Sequence, residues 1–327
     1  MPENRAYEVN AAAPGIIERV IGQGQVMASL RVALEACWND GTRFPHALFV
    51  GPPGVGKSLC AQVIAKEMGS TLRETLAQTL TSTADLNALL LEAGERDVVF
   101  LDECDELAPS LQVLLYRTIA EGKLFVPRNG AGRTPPPLPL ANFTLLLACN
   151  NEFRLARPLT ERLKLVCRFD YYSEDEIAQI LRERAHMLGW AVEPPVFAAV
   201  AQLARGVPRL ALRLLESANR TARSENDTTV TLEHFRRTCQ LEGLDSGGLD
   251  RTEQKYLSIL SESNGMPVRL GVIADRLGLP PRTISAVIEP YLVRQGLIHR
   301  RDAGRELSEK GREYLARAAA APEPGAA

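Results

Sequence analysis

The sequence predicts an α/β phosphate-loop domain on a parallel sheet, then an all-helical domain, then a C-terminal winged helix. Three observations predict it. The apolar run from His46 to Val50 leads into Gly51-Pro52-Pro53-Gly54-Val55-Gly56-Lys57-Ser58 and on into a helically spaced stretch, Leu59 to Ala65. A second apolar run, Asp97 to Glu103, ends in two carboxylates. From Ser173 onward successive helical periods replace strand patterning, until a Gly-Gly break at 247–248.

Composition bounds the possibilities. With 327 residues, 45% hydrophobic and 24% charged, the chain has room for about two or three ordinary globular domains. No apolar run approaches the roughly 18 residues that span a bilayer. The N-terminus, Met1 to Tyr7, lacks the apolar core of a signal peptide. A cytoplasmic protein with no membrane partner is therefore expected. Six scattered cysteines form no C-x-x-C pair and read as reduced, buried thiols, and the four dispersed histidines suggest no metal cluster. A net charge of −2 means that any nucleic-acid contact must come from a local patch.

Taken in order, residues 1–15 are polar and rich in Ala and Pro, a loose arm. Val26, Leu30, Ala33 and Leu34 give Gln23 to Glu35 a helical period. The glycine-rich loop comes next, between a strand and a helix. Its glycines let backbone N–H groups close around phosphate oxygens, and the helix N-terminus adds partial positive charge. Lys57 reaches β- and γ-phosphates, and the Ser58 hydroxyl ligates Mg²⁺. Gly51, Gly54, Val55, Gly56, Lys57, Ser58 and Leu59 are the candidate nucleotide-binding residues, for ATP with Mg²⁺.

Leu72 to Leu76 reads as a second strand, and Ala84 to Gly94 as a helix opening after Ser82-Thr83. The run 97–103 suits a strand buried on both faces of a parallel sheet, with its carboxylates where ligands bind in open α/β sheets. Asp102 is placed to hold Mg²⁺, Glu103 to polarise the attacking water. Leu107 to Glu121 is a helix. Lys123–Val126 and Leu138–Leu140 flank a stretch rich in Pro, Gly and Arg that reads as a hairpin with an exposed tip, or as a surface loop. Phe143 to Asn150 is another buried strand, its terminal Asn placed to hold the lytic water. Leu165 to Asp170 completes the sheet.

Ser173 and Glu176 form a capping box that opens a helix to Leu188, and helical patterns continue over 196–205, 207–223 and 231–241. Asp245-Ser246-Gly247-Gly248 reads as a flexible break. After it come helices at 250–262, 270–277 and 280–295, then a hairpin at 296–307, the outline of a winged helix. Residues 250–317 hold twelve Lys/Arg against nine Asp/Glu, opposite in sign to the whole chain. Arg282, Thr283 and Ser285 start the recognition helix, and Arg300, Arg301 and Arg305 lie on the wing, where they meet DNA phosphates. A winged helix also serves as a protein-interaction module. The expected divisions are a 1–15 arm, a 16–172 nucleotide-binding domain, a 173–245 helical domain, a 249–317 winged helix and a disordered tail, 318–327.

The phosphate loop, Asp-Glu strand, strand-tip Asn and trailing helical domain together resemble an AAA+ ATPase with its lid. The order of domains resembles the RuvB family, hexameric motors of Holliday-junction branch migration. The likeness runs from about Pro14 to Leu315. It is carried by Val20-Ile21-Gly22-Gln23, the phosphate loop, Phe143-Thr144-Leu145-Leu146, Pro158-Leu159-Thr160-Glu161-Arg162, Gly206-Val207-Pro208-Arg209 and Glu289-Pro290-Tyr291-Leu292. The resemblance implies that Val20 and Ile21 line the adenine pocket and that Asn150 is sensor 1. It also implies that Arg162 is an arginine finger acting on a neighbour's ATP, and that Arg209 is sensor 2. Double-stranded or four-way-junction DNA, a hexameric homo-oligomer and a RuvA-like recruiter are the partners it implies.

Several positions differ from the family pattern. Ala13-Pro14 stands where the family has Arg-Pro, Cys104-Asp105-Glu106 where it has Ile-His-Arg, and Cys149-Asn150-Asn151 where it has Thr-Thr-Arg. In Phe125–Leu138, Arg, Gly and Pro replace most of an apolar hairpin tip that docks on RuvA, which weakens a hydrophobic anchor. Two other readings accommodate these differences. One is an AAA+ protein-remodelling or loader ATPase, the other a nucleotide-gated DNA-binding regulator; Glu103 argues against the latter, since a pure switch needs no water-activating base.

Overall fold

The structure, a computed structural model, describes residues 12–124 and 136–320, with side chains as far as residue 317. Most of the predicted arm, the hairpin tip and residues 321–327 of the tail lie outside the described residues. The chain divides into two compact units, Met1–Glu216 and Ser217–Ala327.

In the first unit, α1 (Gly24–Asp40) precedes β1 (Ala47–Val50), α2 (Lys57–Glu67), β2 (Leu72–Leu76), α3 (Thr83–Glu92), β3 (Val98–Asp102) and α4 (Pro109–Glu121). Then come β4 (Lys123–Leu124), β5 (Leu138–Pro139), β6 (Thr144–Cys149), α5 (Arg157–Thr160), β7 (Leu165–Arg168), α6 (Glu174–Leu188), β8 (Ala191–Val192) and α7 (Pro194–Leu203), with α8 (Pro208–Ser224) opening near the end. Five strands form one parallel sheet in the order β2-β3-β6-β1-β7. Every residue of β6 is buried, as continuous Leu-rich strands covered on both faces require. Leu48, Val99, Leu101, Leu145 and Leu147 meet Leu86 and Leu90 of α3 and Leu111 and Leu115 of α4 in the core.

The strand order matters more than the strand count. β6 sits between β1 and β3, with Val50 opposite Cys149 and Leu101 opposite Leu147. The C-terminal ends of three strands therefore bring Gly51, Asp102 and Asn150 to one edge of the sheet.

Local sequence explains most boundaries. Both halves of the predicted capping box form: Glu176 N–H donates to Ser173 Oγ at 3.2 Å, and Ser173 N–H to Glu176 Oε2 at 2.8 Å. α1 runs past the predicted end at Glu35 because Cys37 is buried, and it stops at Gly41, whose φ of 65° suits a left-handed C-cap. The hairpin flanks pair as predicted, Lys123 with Pro139 and Leu124 with Leu138.

In the second unit, β9 (Thr229–Val230), α9 (Leu232–Glu242), α10 (Arg251–Ser261) and α11 (Leu270–Leu277) lead to α12 (Pro281–Thr283), a π-helical turn Ile284–Ile288 and α13 (Glu289–Arg294). β10 (Ile298–Arg301) and β11 (Gly304–Leu307) form the antiparallel wing, and α14 (Glu309–Ala320) follows. Tyr256, Leu257, Leu260, Ile273, Ile284, Leu292 and Ile298 form its core.

Three expectations need correction here. Residues 280–295 are not one regular α-helix: Pro290 has no N–H and its ring crowds the carbonyl four residues back, and the turn preceding it is π-helical. α14 was not expected. The supposedly flexible break is tied down, because Asp245 Oδ1 accepts N–H bonds from Gly247 at 3.0 Å and Leu249 at 2.8 Å.

Candidate active site

The phosphate loop joins β1 to α2. Gly54 and Gly56 adopt φ of 81° and 103°, which only glycine takes without strain. α2 then opens at Lys57 with its first N–H groups free of intrahelical partners. Lys57 Nζ donates to Gly51 O at 2.7 Å, Pro52 O at 2.9 Å and Asn150 Oδ1 at 3.0 Å. Burial lowers the pKa of this ammonium, and the Asp102 carboxylate pulls it back up. Ser58 Oγ donates to Asp102 Oδ2 at 3.2 Å, and Glu103 N–H to Asp102 Oδ1 at 2.8 Å. Glu103 has φ of 54°, a left-handed conformation costing an L-residue about 1–2 kcal/mol. Backbone strain of this kind clusters at functional sites.

These groups fit a nucleotide and its metal. Lys57 faces only oxygen acceptors, the partners a phosphate would replace. The Ser58 hydroxyl and Asp102 carboxylate converge as hard oxygen donors of the kind Mg²⁺ takes.

A cavity of about 650 Å³, in the range of ligand sites, opens beside the loop. Val20, Ile21, Gly54, Gly56, Lys57, Ser58, Leu59, Asp102, Glu103, Asn150 and Arg209 all line it. Two of the predicted nucleotide-binding residues do not. Val55 is fully buried, its carbonyl accepting from Tyr172 Oη at 3.1 Å, and Gly51 packs so closely that a Cβ there would lie 2.5 Å from Phe169 O. Both shape the loop from behind. Arg209 N–H donates to Gly54 O at 3.3 Å, so the first turn of α8 rests directly on the loop. The sequence reading missed Tyr172, Ile180, Arg184, Met187 and Leu212 in the lining. Tyr172 carried one signal, its place just before the Ser173 cap; the other four are indistinguishable from ordinary helix residues.

Comparison with known proteins places the whole arrangement. The model of the Holliday junction DNA helicase RuvB P-loop domain matches residues 12–169, that of the RuvB AAA lid domain 172–245, and that of the RuvB C-terminal winged helix domain 246–316. The chain belongs to the RuvB family. It is 31% identical over 303 residues to the Holliday junction branch migration complex subunit RuvB of a Nitratiruptor species, covering 92% of this chain and 90% of that protein. The Thermotoga maritima RuvB Holliday junction branch migration motor superposes with a TM-score of 0.79 at 29% identity, over 93% of this chain and 98% of that one. A mutant of that motor superposes at 0.82. As a RuvB-family member the chain is a nucleotide-binding ATP hydrolase.

Arg162 stands apart from this RuvB-type cavity. Its guanidinium lies over the Tyr116 ring, 4.9 Å from the centroid, and Nη1 donates to Pro158 O at 2.9 Å. The structure does not bring it to this chain's own loop.

In the RuvB-type winged helix, Arg282 is exposed at the start of α12. Arg300 and Arg301 are exposed on β10, the first with Nε 3.2 Å from Glu289 Oε2 and the second paired with Glu306. Arg305 corrects the expectation of a third surface cation. Only 15% of its side chain is exposed, and it donates through Nε at 2.8 Å and Nη2 at 3.3 Å to the fully buried Glu289. Tyr256 Oη also donates to Glu289, at 3.1 Å. A buried carboxylate must be paired, and Arg305 is turned inward to do so.

Glu225, Asp227 and His234 converge within 4.8 Å, a trio the dispersed histidines did not suggest. Thr231 N–H donates to His234 Nδ1 at 3.1 Å. Nε2 of the neutral ring therefore carries the proton, pointed at Asp227 Oδ2 3.0 Å away. Thr231 and His234 together form the capping box of α9.

Proposed function

We propose that this chain is an ATP-driven DNA motor of RuvB type, forming a hexameric ring on duplex DNA and driving Holliday-junction branch migration in recombination and repair. One observation carries the reading. Lys57, Asn150, Ser58, Asp102 and Glu103 are gathered at the ends of β1, β6 and β3, under the first turn of α8, in a chain that also bears a winged helix.

Each residue has a task that its geometry supports. Lys57 and the α2 N-terminus hold the triphosphate, while Val20 and Ile21 face the base. Ser58 and Asp102 hold Mg²⁺, which when bound neutralises charge building on the β- and γ-phosphate oxygens. Glu103 takes the proton of the attacking water and Asn150 orients it. Arg209 reaches the γ-phosphate within the subunit. Arg162, turned away from its own loop, supplies its charge to the neighbour's nucleotide, so hydrolysis requires assembly. Arg282, Arg300 and Arg301 meet duplex or four-way-junction phosphates. The proposed working parts are residues 16–172, 173–245 and 249–317, in the cytoplasm.

The test is ATP hydrolysis with and without duplex and four-way-junction DNA, beside Glu103→Gln. DNA should stimulate turnover, and Glu103→Gln should lower it about 10²–10⁴-fold while retaining ATP binding. Turnover indifferent to DNA would overturn the motor reading.

A further inference from the structure

We propose that Tyr116 is a positioning residue for Arg162, holding the guanidinium ready for the nucleotide of a neighbouring copy of this chain. The inference rests on the reading of Arg162 as a finger supplied across a subunit interface.

The ring centroid lies 4.9 Å from the guanidinium carbon, inside the roughly 6 Å within which an aromatic face attracts a cation. Tyr116 is half-buried on α4 and packed against the sheet core, next to the fully buried Leu115. Its ring is therefore a fixed surface, whereas Arg162 itself is exposed. A second restraint acts on the same head group, the 2.9 Å bond from Nη1 to Pro158 O.

The adjacent carboxylate, Glu161, is engaged elsewhere, pairing with Arg157 at 2.8 Å. Among the described residues no carboxylate pairs with Arg162. This distinction has a chemical consequence. A carboxylate would occupy the N–H edge of the guanidinium and neutralise the charge a phosphate needs. An aromatic face holds the flat side of the ion instead and leaves most of its five N–H donors free in the plane. Tyr116 thus restricts a flexible side chain without spending its charge, and an arginine already in place loses less freedom when it meets the transferring phosphoryl group.

The experiment compares Tyr116→Leu with Tyr116→Phe in the full chain, with four-way-junction DNA and ATP. Leucine keeps apolar packing against the core but has no π face; phenylalanine keeps the face. Tyr116→Leu should lower kcat about tenfold with ATP affinity unchanged, while Tyr116→Phe stays within about twofold of the parent. Equal rates for the two variants would overturn the proposal. A mixing experiment adds a readout that a structural defect would not give. Lys57→Ala subunits cannot hold nucleotide but carry intact Tyr116 and Arg162. Adding them to Tyr116→Leu subunits should raise hydrolysis per Tyr116→Leu subunit, and no rise would overturn the proposal. Arg162→Ala is mixed in the same way. If Arg162→Ala is rescued and Tyr116→Leu is not, the Tyr116 role alone fails. If Arg162→Ala hydrolyses at the parent rate, or gains nothing from Lys57→Ala subunits, the finger reading fails with it.

Discussion

The Tyr314 hydroxyl lies 2.7 Å from each carboxylate oxygen of Asp245. α14 thereby reaches back to the segment that enters the winged helix. Gly247 lies against the same ring, where a Cβ would come within 2.3 Å of Tyr314 Oη. The glycine is there for close approach, and the Ser-Gly-Gly stretch that would be mobile on its own is held by Asp245 from two sides. Burial, reinforced by the bond to Asp245, raises the pKa of the Tyr314 hydroxyl, so it remains a donor across the neutral range.

Replacing Tyr314 with Phe removes that donor and leaves the ring. A hydrogen bond to a charged acceptor contributes about 1.5–3 kcal/mol, and we expect a loss at the lower end of that range, since Asp245 keeps its two N–H donors. Hydrogen exchange should accelerate at the amides of Gly247 and Leu249. DNA-independent ATP turnover should be unchanged. Unaltered exchange at those two amides would show that the tyrosine does not hold the segment.

Much of this molecule was legible because chemistry and chain position coincide. Asp102 and Glu103 stand at the end of one apolar run, and Lys57 and Ser58 follow another across a glycine-rich loop, so the runs and the glycines announced them. Neighbourhood across the sheet was not legible. Nothing local says that β6 inserts between β1 and β3, yet that order sets Asn150 beside Lys57. The cavity wall was hidden for a similar reason. Ile180, Arg184 and Met187 look like any helix face until α6 is placed over the loop. In the wing, counting arginines overlooked Glu289, whose burial turns Arg305 from a surface cation into an internal counterion.

That counterion gives a second expectation. Arg305→Ala leaves a fully buried Glu289 with only Tyr256 and the half-exposed Arg300 to satisfy it. Removing one partner of a buried pair costs about 3–5 kcal/mol, and the solvent-facing Arg300 places this case at or below the lower end. Thermal unfolding of the winged helix should shift down. Arg282→Ala, at an exposed position, should leave stability within about 0.5 kcal/mol and weaken DNA binding with a shallower salt dependence. Equal melting of the two variants would remove the structural role given to Arg305.

Gly54→Ala addresses the junction of loop and lid. The new Cβ would sit 2.8 Å from Val207 Cγ1 and 3.1 Å from Arg209 Cβ, at a φ of 81°. The alanine strains the loop and pushes the first turn of α8 away from it. We expect ATP affinity to fall at least about tenfold, from the lost closure and about 1–2 kcal/mol of backbone strain, read by titration of a fluorescent ATP analogue. The winged helix should melt as in the parent, which separates this local defect from general unfolding.

The last expectation concerns acid. His46 stands just before β1, and its Nδ1 accepts the N–H of Leu145 at 2.8 Å. Burial, with repulsion from Arg43 and then Lys164, depresses its pKa to about 3, against about 6.5 in an unfolded chain. Between those values the unfolded chain binds a proton that the folded chain refuses, so stability must fall as the pH falls. The contribution is fully present above about pH 6.5 and is lost progressively toward pH 3, at up to about 1.4 kcal/mol per unit. His46→Gln keeps an acceptor for Leu145 and cannot titrate. The urea midpoint of the parent should therefore drop between pH 6.5 and 4.5 more steeply than that of His46→Gln, while carboxylates titrating in both proteins cancel from the difference. Parallel pH profiles would mean that the ring is protonated in the folded protein without cost.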